Sequence, residues 1–393
     1  MFNLKRFLSK LLRVYYKLDR DKRNFHDLFY EKSKIKKNFI FNIKKIKKND
    51  ILFNRIYLYT KKILLNEKKL KKKKDMWDIA SSQNDVKKFY NTILSKDKIG
   101  FYNIINNFGK TTLVNGFSNY YHYKKLILKD DLRKKESYRF LDTLISLAEY
   151  KKITKVYNPE QGGFTLLNLE YKKIIRKVFL EKIKKIKIFK SPNYIYGFVM
   201  GKTFFCLKDL KSFYSAISLN ELTKNKKINE INEIGGGLGY TSYYFNKLNN
   251  INMYNLYDIP YVSISQAYFL IMNIKEDLVH LSGEKFNKSH KISIKPYWEL
   301  FKKRKSNKKI LWFNQDSFPE ISNDISKKYI DLIASSKKSF LFSINQEAYN
   351  NDGVDGIQYP LYYLINNNKN FNLENRSRDF LRKGYIEELY KIG

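Results

Sequence analysis

The chain has 393 residues and a formal net charge of +39, from 77 Lys and Arg against 38 Asp and Glu. Its hydrophobic share of 43% excludes general disorder, and its length allows two domains with sizeable cores. The single cysteine excludes an internal disulfide framework and fits a reducing cytosol, while four histidines argue against a zinc site built only from His and Cys.

The positive charge is mostly lysine, and it does not by itself indicate a nucleic-acid partner. Lysine, Ile, Asn, Tyr and Phe are abundant, whereas Arg, Ala, Gly and Pro are scarce, as an AT-rich coding sequence produces whatever the function. Arginine is the residue that recognises bases and phosphates bidentately. No nucleic-acid partner is therefore expected.

Residues 1–75 form a basic segment that is predicted to be helical. Residues 1–17 place apolar side chains on one helical face, with Lys and Arg around them. Such a helix can lie on an anionic membrane surface, or it can pack on the protein body with its lysines in solvent. No stretch approaches 18 uncharged apolar residues, so a cytoplasmic chain is expected, with peripheral contact at the inner face of the membrane as the open alternative.

The hydrophobic pattern of the remaining chain changes near residue 215. Residues 76–215 carry helical patterns and are predicted to be a mainly helical accessory region on the substrate side. Residues 216–393 alternate short apolar strands with helices, which predicts a parallel sheet covered on both faces. The strand candidates begin near Lys227, Asn252, Lys291, Ile310 and Ser339.

A glycine turn follows the first of these strands, in the run Glu233-Ile-Gly-Gly-Gly-Leu-Gly239. Glycines let the backbone turn sharply and let a ligand approach the N–H groups at a helix start. The dinucleotide fingerprint fails here because Tyr240 stands where the third glycine belongs, and the Lys-Ser or Lys-Thr of a P-loop is missing. The spacing that fits is acidic-x-G-x-G-x-G, which resembles the first motif of Rossmann-like S-adenosylmethionine-dependent methyltransferases.

A second acidic residue is expected about 20 residues later, where a carboxylate can hydrogen-bond a ribose hydroxyl. Asp258 closes the next strand at that position and is followed by Ile259-Pro260. Ligands of such sheets bind at the carboxyl ends of the strands, so polar groups there should gather around one cleft. The residues expected to meet are Glu233, Asp258, Asn314 and Asn345.

Three signatures together resemble the bacterial sugar O-methyltransferases that occur with surface-polysaccharide biosynthesis. They are Asp258-Ile-Pro with the helix around Gln266, the segment from Asn314 to Glu320, and the strand end at Asn345-Gln346. The likeness is strong over roughly residues 190–393. It implies a seven-stranded, mostly parallel Rossmann-like sheet in residues 216–393 and a sugar, nucleotide-sugar or glycan acceptor. The cofactor residues that it implies are Glu233, Gly235, Gly236, Gly237, Gly239, Asp258, Ile259 and Asn314.

The methyl transfer itself needs chiefly positioning and a group that takes the proton of a sugar hydroxyl. Asp316 and Glu320 follow the fourth strand, and Asp316 is the first candidate base; as an alternative, it caps the helix that follows. Together the two carboxylates could hold Mg²⁺, which nothing in the sequence requires. His280 and His290 are further candidates, unless they lie in a solvated loop.

Two other functions stay open at this stage. An RNA methyltransferase would explain the charge, yet the sequence has no aromatic-basic RNA-binding signature. A cofactor-binding scaffold without activity is the second alternative. The arginines Arg376, Arg378 and Arg382 near the end of the chain either clamp a nucleotide-sugar diphosphate or belong to a solvated helix.

Overall fold

The structure is a computed structural model, and the statements below concern the residues that it describes: 39–41, 48–67, 80–108, 111–114, 130–153, 196–200, 203–248, 253–302, 308–347, 359–366, 368–382 and 384–393. The amphipathic helix expected at residues 1–17 lies outside these ranges. No helix within them has the length and apolar composition needed to cross a membrane.

Among the described residues up to 205, helices predominate, as predicted, and three short strands are added. The helices are α1 (Asp50–Glu67), α2 (Asn84–Leu94), α3 (Lys98–Asn106) and α4 (Asp130–Tyr150). The strands are β1 (Phe39–Phe41), β2 (Tyr196–Met200) and β3 (Thr203–Phe205), which form a separate three-stranded sheet. Segments of three to five residues carry too little periodicity for sequence patterns to reveal.

The chain divides into two compact units. One comprises Met1–Ile40, Lys129–Lys187 and Phe198–Phe205, and the other comprises Phe41–Leu128, Ile188–Gly197 and Cys206–Gly393. Helices α1 to α3 therefore group with the C-terminal residues. The boundaries expected after residues 75 and 215 stay predictions.

The second unit contains a mostly parallel sheet of eight strands, one more than expected. The strands are β4 (Glu230–Ile234), β5 (Met253–Asp258), β6 (Val279–Leu281), β7 (Ile292–Pro296), β8 (Ile310–Gln315), β9 (Phe340–Gln346), β10 (Phe371–Arg378) and β11 (Tyr385–Ile392). Their order in the sheet is β10-β11-β9-β8-β4-β5-β7-β6, and only β11 runs antiparallel to its neighbours. The edge strand β6 has only three residues.

Helices cover both faces of this sheet, which is why its central strands are buried throughout. On one face lie α5 (Leu207–Asn225), α6 (Tyr240–Leu248) and α7 (Pro260–Asn273). On the other face, α8 (Asn323–Ala334) and α9 (Leu361–Ile365) pack on a core around Trp312 and Leu341.

Helix α1 packs on α7, and a charged contact also joins α1 to the segment at β6. The Arg55 guanidinium donates to both carboxylate oxygens of Glu284, from Nε at 2.9 Å and from Nη2 at 2.8 Å. Nη2 also donates to the Val279 carbonyl oxygen at 2.8 Å. Because Val279 belongs to β6 and Glu284 follows that strand, this contact holds α1 against the β6 edge of the sheet.

Candidate functional site

The predicted glycine turn joins β4 to α6 and requires glycine at its first position. Gly235, Gly237 and Gly239 have φ angles of +73°, +59° and +82°, in the left-handed region that favours glycine. A Cβ atom added to Gly235 would stand 2.3 Å from Ser317 Oγ. The Gly235 N–H donates to the Tyr257 carbonyl oxygen at 2.9 Å, which ties the turn to the end of β5.

The turn lies at the topological switch point of the sheet. From β4 the chain continues to β5 on one side, whereas β8, on the other side of β4, comes later in the sequence. Open parallel sheets bind ligands in the crevice outside the carboxyl ends of the two strands at such a point. Here the crevice is the space at the carboxyl ends of β4 and β8.

Asp258 ends β5 beside the turn and holds it directly. Its Oδ2 accepts the Gly237 N–H at 3.0 Å, and its Oδ1 accepts the Ile259 N–H at 2.8 Å. Gln266, fully buried in α7, donates from Nε2 to Asp258 Oδ2 at 3.1 Å. Burial raises the pKa of Asp258 to about 7, against the effect of the two backbone donors.

Gln266 also has an open acceptor, because its Oε1 is buried with no hydrogen-bond partner among the described residues. A buried acceptor left unpaired costs free energy, so a ligand donor at this place would stabilise the site. The amide thus supports Asp258 and offers a second polar contact. The sequence indicated a helix here, without showing which face Gln266 occupies.

Glu233 lies beneath the turn and is almost completely buried. Its Oε2 accepts the Tyr254 hydroxyl at 2.8 Å, and burial raises the pKa of Glu233 to about 7. A Cβ atom on Gly236 would approach this carboxylate to 3.1 Å. Glu233 therefore packs against the turn from inside the sheet, and its assignment to cofactor binding stays a prediction.

Asn314 at the end of β8 joins the two sides of the crevice. Its Nδ2 donates to the Ile234 carbonyl oxygen at 2.8 Å and contacts Ser317 Oγ, and its Oδ1 accepts the Asn345 side chain at 2.9 Å. The sequence placed Asn314 and Asn345 at one edge, and the structure brings them into contact. With its amide engaged by protein groups, Asn314 positions the turn at Ser317, and its role toward the cofactor stays a prediction.

Asp316 follows β8 in the left-handed region, with a φ angle of +67°. Its Oδ1 accepts a hydrogen bond from Arg382 Nη1 at 2.6 Å. Burial would raise the pKa of Asp316, but Arg382 together with Lys208 and Lys211 holds it below its usual range. The alternative that Asp316 caps α8 is wrong, because Ser322 occupies the N-cap position of that helix.

The other candidate bases occupy different places. Glu320, half-buried, ends the short 3-10 helix Phe318–Glu320 that follows Asp316. His280 lies in β6, four strands from β8 in the sheet order, which is about 19 Å at the usual strand spacing. His280 Nδ1 is 2.8 Å from Ser293 Oγ, and burial lowers the pKa of His280.

The expectation of a solvated loop for the histidines is wrong, since His280 and His290 are 8% and 6% exposed. Their rings lie 5.2 Å apart beside Phe286, so apolar and aromatic packing buries them. This pair belongs to the edge of the sheet, and the structure does not bring it to the crevice.

The sequence left two alternatives for Arg382, a contact with a diphosphate or a place on a solvated helix. Arg376 and Arg378 lie in strand β10, so the helix suggested for the three arginines is wrong. Arg382, in the connection between β10 and β11, has a side chain only 5% exposed and pairs with Asp316 and Asp379. Because Asp316 is 66 residues away, no local pattern could have shown this contact.

Comparisons with known proteins find only distant structural likenesses. No protein-family model matches the chain, and no curated protein sequence matches it. Solved structures with a related backbone include the mitomycin 7-O-methyltransferase, at 13% identity and a TM-score of 0.35 over 47% of this chain and 55% of that one.

Two other solved structures contain SAM. One is human N-acetylserotonin methyltransferase, at 12% identity and a TM-score of 0.32 over 67% of this chain and 69% of that one. The other is magnesium protoporphyrin IX methyltransferase from Synechocystis PCC 6803, at 12% identity and a TM-score of 0.31 over 63% and 95%.

Proposed function

We propose that this chain is an S-adenosylmethionine-dependent O-methyltransferase. The observation that supports it most is the Asp258 carboxylate, which bridges the Gly237 and Ile259 N–H groups beside a glycine turn at the switch point. A carboxylate in this place suits the hydroxyls of a ribose. Asp258 Oδ1, Asp258 Oδ2 and Gln266 Oε1 together offer acceptors to a nucleoside.

The residues of the turn favour S-adenosylmethionine over other nucleotide cofactors. Tyr240 begins α6 and is buried, where a dinucleotide site would have its third glycine. The turn also has no lysine to bind a terminal phosphate. S-adenosylmethionine supplies a methyl group that is already activated on a sulfonium. The Asp258 carboxylate lies against the turn and suits a cationic ligand better than a polyphosphate.

We infer that the acceptor is a sugar hydroxyl, in a nucleotide sugar or a glycan of surface-polysaccharide biosynthesis. This part rests on the resemblance carried by Asp258-Ile259-Pro260 and by the segment from Asn314 to Glu320. The half-exposed Asp316 carboxylate is the proposed base, with Glu320 beside it in the chain. The lowered pKa keeps Asp316 ionised at neutral pH, which is the protonation state that a base requires.

Replacing Asp258 with alanine should weaken binding of S-adenosylhomocysteine roughly 10- to 100-fold, because hydrogen bonds to a charged group are lost. Calorimetric titration measures this directly. Asp331→Ala is the matched control, since Asp331 is exposed on α8. Equal affinity in wild type and Asp258→Ala, with both proteins folded, would show that the ligand does not use this carboxylate.

Binding should also depend on pH near neutrality. Because the pKa of Asp258 is about 7 and ribose hydroxyls donate to the ionised form, binding below pH 7 must release a proton. The affinity for S-adenosylhomocysteine should fall from pH 8 to pH 6, by at most about tenfold per pH unit for each proton that binding releases. Glu233 titrates in the same range, so the Asp258→Asn variant separates the two groups. If the affinity of the wild-type protein does not change between pH 6 and pH 8, the prediction is contradicted.

A further inference from the structure

Arg382 is held rigidly at the carboxyl edge of the sheet. Its Nη1 donates to Asp316 Oδ1 at 2.6 Å, and its Nε donates to Asp379 Oδ2 at 2.9 Å. The face of its guanidinium lies 3.7 Å from the centre of the Tyr385 ring. These three contacts fix the plane of the guanidinium and its direction.

One end of this guanidinium has no protein partner. The Arg382 side chain is only 5% exposed, and its buried Nη2 forms no hydrogen bond within the described residues. A buried charged donor without an acceptor is costly, so such groups in native proteins have a water, an ion or a ligand. Nη2 adjoins Nη1 in the rigid guanidinium fork, so it lies beside the Asp316 carboxylate, which is 31% exposed.

Two lysines of α5 face the same place. Ser215 Oγ donates to Gln315 Oε1 at 3.0 Å, so this side of α5 lies against the end of β8. Lys211 and Lys208 precede Ser215 by four and seven residues, which places them one and two turns earlier on the same helical face. Both are half-buried. Lys208 and Lys211 both lower the pKa of Asp316, and Lys208 also acts on Glu233, so this positive charge lies near both carboxylates.

We propose that Arg382, Lys208 and Lys211 bind an oxyanion of the acceptor, either a phosphate or a carboxylate group, beside the crevice. The unpaired Nη2 donor and the two lysine ammonium groups suit both kinds of anion, because phosphate and carboxylate oxygens accept charge-assisted hydrogen bonds from such donors. This inference rests on the proposed function for the identity of the ligand as methyl acceptor. It adds that the acceptor is anionic, as a sugar phosphate, a nucleotide sugar or a uronic acid is.

The test titrates the full chain with inorganic phosphate and, separately, with glucuronate, at constant ionic strength. We expect saturable binding of at least one of the two. The double variant Lys208→Gln/Lys211→Gln should bind that probe about tenfold more weakly, because charge-assisted hydrogen bonds are lost. Lys224→Gln is the matched control: it removes the same charge from the same helix, about 20 Å from Lys211 along the axis.

Arg382→Lys keeps the positive charge but removes the Nη2 donor, and it should reduce binding by a similar factor. If this variant unfolds, the double lysine variant still decides. Preference for phosphate indicates a phosphorylated acceptor, and preference for glucuronate indicates a uronic acid.

The inference is overturned if neither probe binds saturably, or if Lys224→Gln weakens binding as much as the double variant does. S-adenosylhomocysteine binding is measured on the same samples. If it persists while both anions fail, only the oxyanion site is wrong; if it is absent, the proposed function is wrong as well.

Discussion

Asp316→Asn should lower the rate of methyl transfer by about 10²- to 10⁴-fold while leaving S-adenosylhomocysteine affinity nearly unchanged. Asparagine keeps the size of the side chain and an oxygen that can accept a hydrogen bond from Arg382. It cannot take the proton of the substrate hydroxyl that receives the methyl group. The acceptor is first identified by screening nucleotide sugars with wild-type protein, and the rate is then compared at saturating concentrations of both substrates.

The control for this variant is Asp379→Asn. This variant removes the other carboxylate that pairs with Arg382, because Asp379 Oδ2 accepts a hydrogen bond from Arg382 Nε at 2.9 Å. If both variants are slowed equally, Asp316 acts through Arg382 rather than as a base. If Asp316→Asn turns over normally, the base lies elsewhere. Sensitivity to a chelator, with rescue by added Mg²⁺, would instead make Asp316 and Glu320 metal ligands.

Gly235→Ala should destabilise the fold for two separate reasons. A φ angle of +73° costs a residue with a Cβ atom about 1–2 kcal/mol. The added methyl group would also meet Ser317 Oγ at 2.3 Å and Ser317 Cβ at 2.5 Å, which adds about 1–3 kcal/mol of overpacking. The free energy of unfolding, from chemical denaturation, should therefore fall by roughly 2–5 kcal/mol.

Gly384 provides the matched comparison for the same substitution. Its φ angle is +83°, yet a Cβ atom there would meet nothing within 4 Å. Gly384→Ala should therefore show only the backbone cost of about 1–2 kcal/mol. Equal losses for the two variants would mean that Ser317 moves away freely, and that the turn is not held closely against the segment after β8.

The elements that the sequence predicts correctly are those whose position depends on neighbouring residues. The glycine turn and Asp258 are marked by residue types at short spacing, and β4, β5, β7, β8 and β9 appear within a few residues of their expected positions. Strands β8 and β9 are buried and mainly apolar, whereas the polar-rich β4 is marked by the glycine turn that follows it. The contact between the Gly237 N–H and Asp258, 21 residues apart, follows from this spacing.

The elements that escaped prediction lack such local signals. Strand β10 exposes nearly all its side chains, so no apolar alternation marks it, and its pairing with β11 defines it instead. The burial of Gln266 depends on which face of α7 meets the sheet. The pair between Asp316 and Arg382 forms only because the β10–β11 connection reaches the end of β8.

The central claim is that the crevice at β4 and β8 binds S-adenosylmethionine through Asp258, and titration calorimetry with S-adenosylhomocysteine tests it most directly. The account predicts saturable one-to-one binding by the wild-type chain, tighter at pH 8 than at pH 6 and roughly 10- to 100-fold weaker in Asp258→Ala. A folded wild-type chain that shows no saturable binding, or an Asp258→Ala variant that binds as tightly as wild type, would contradict it.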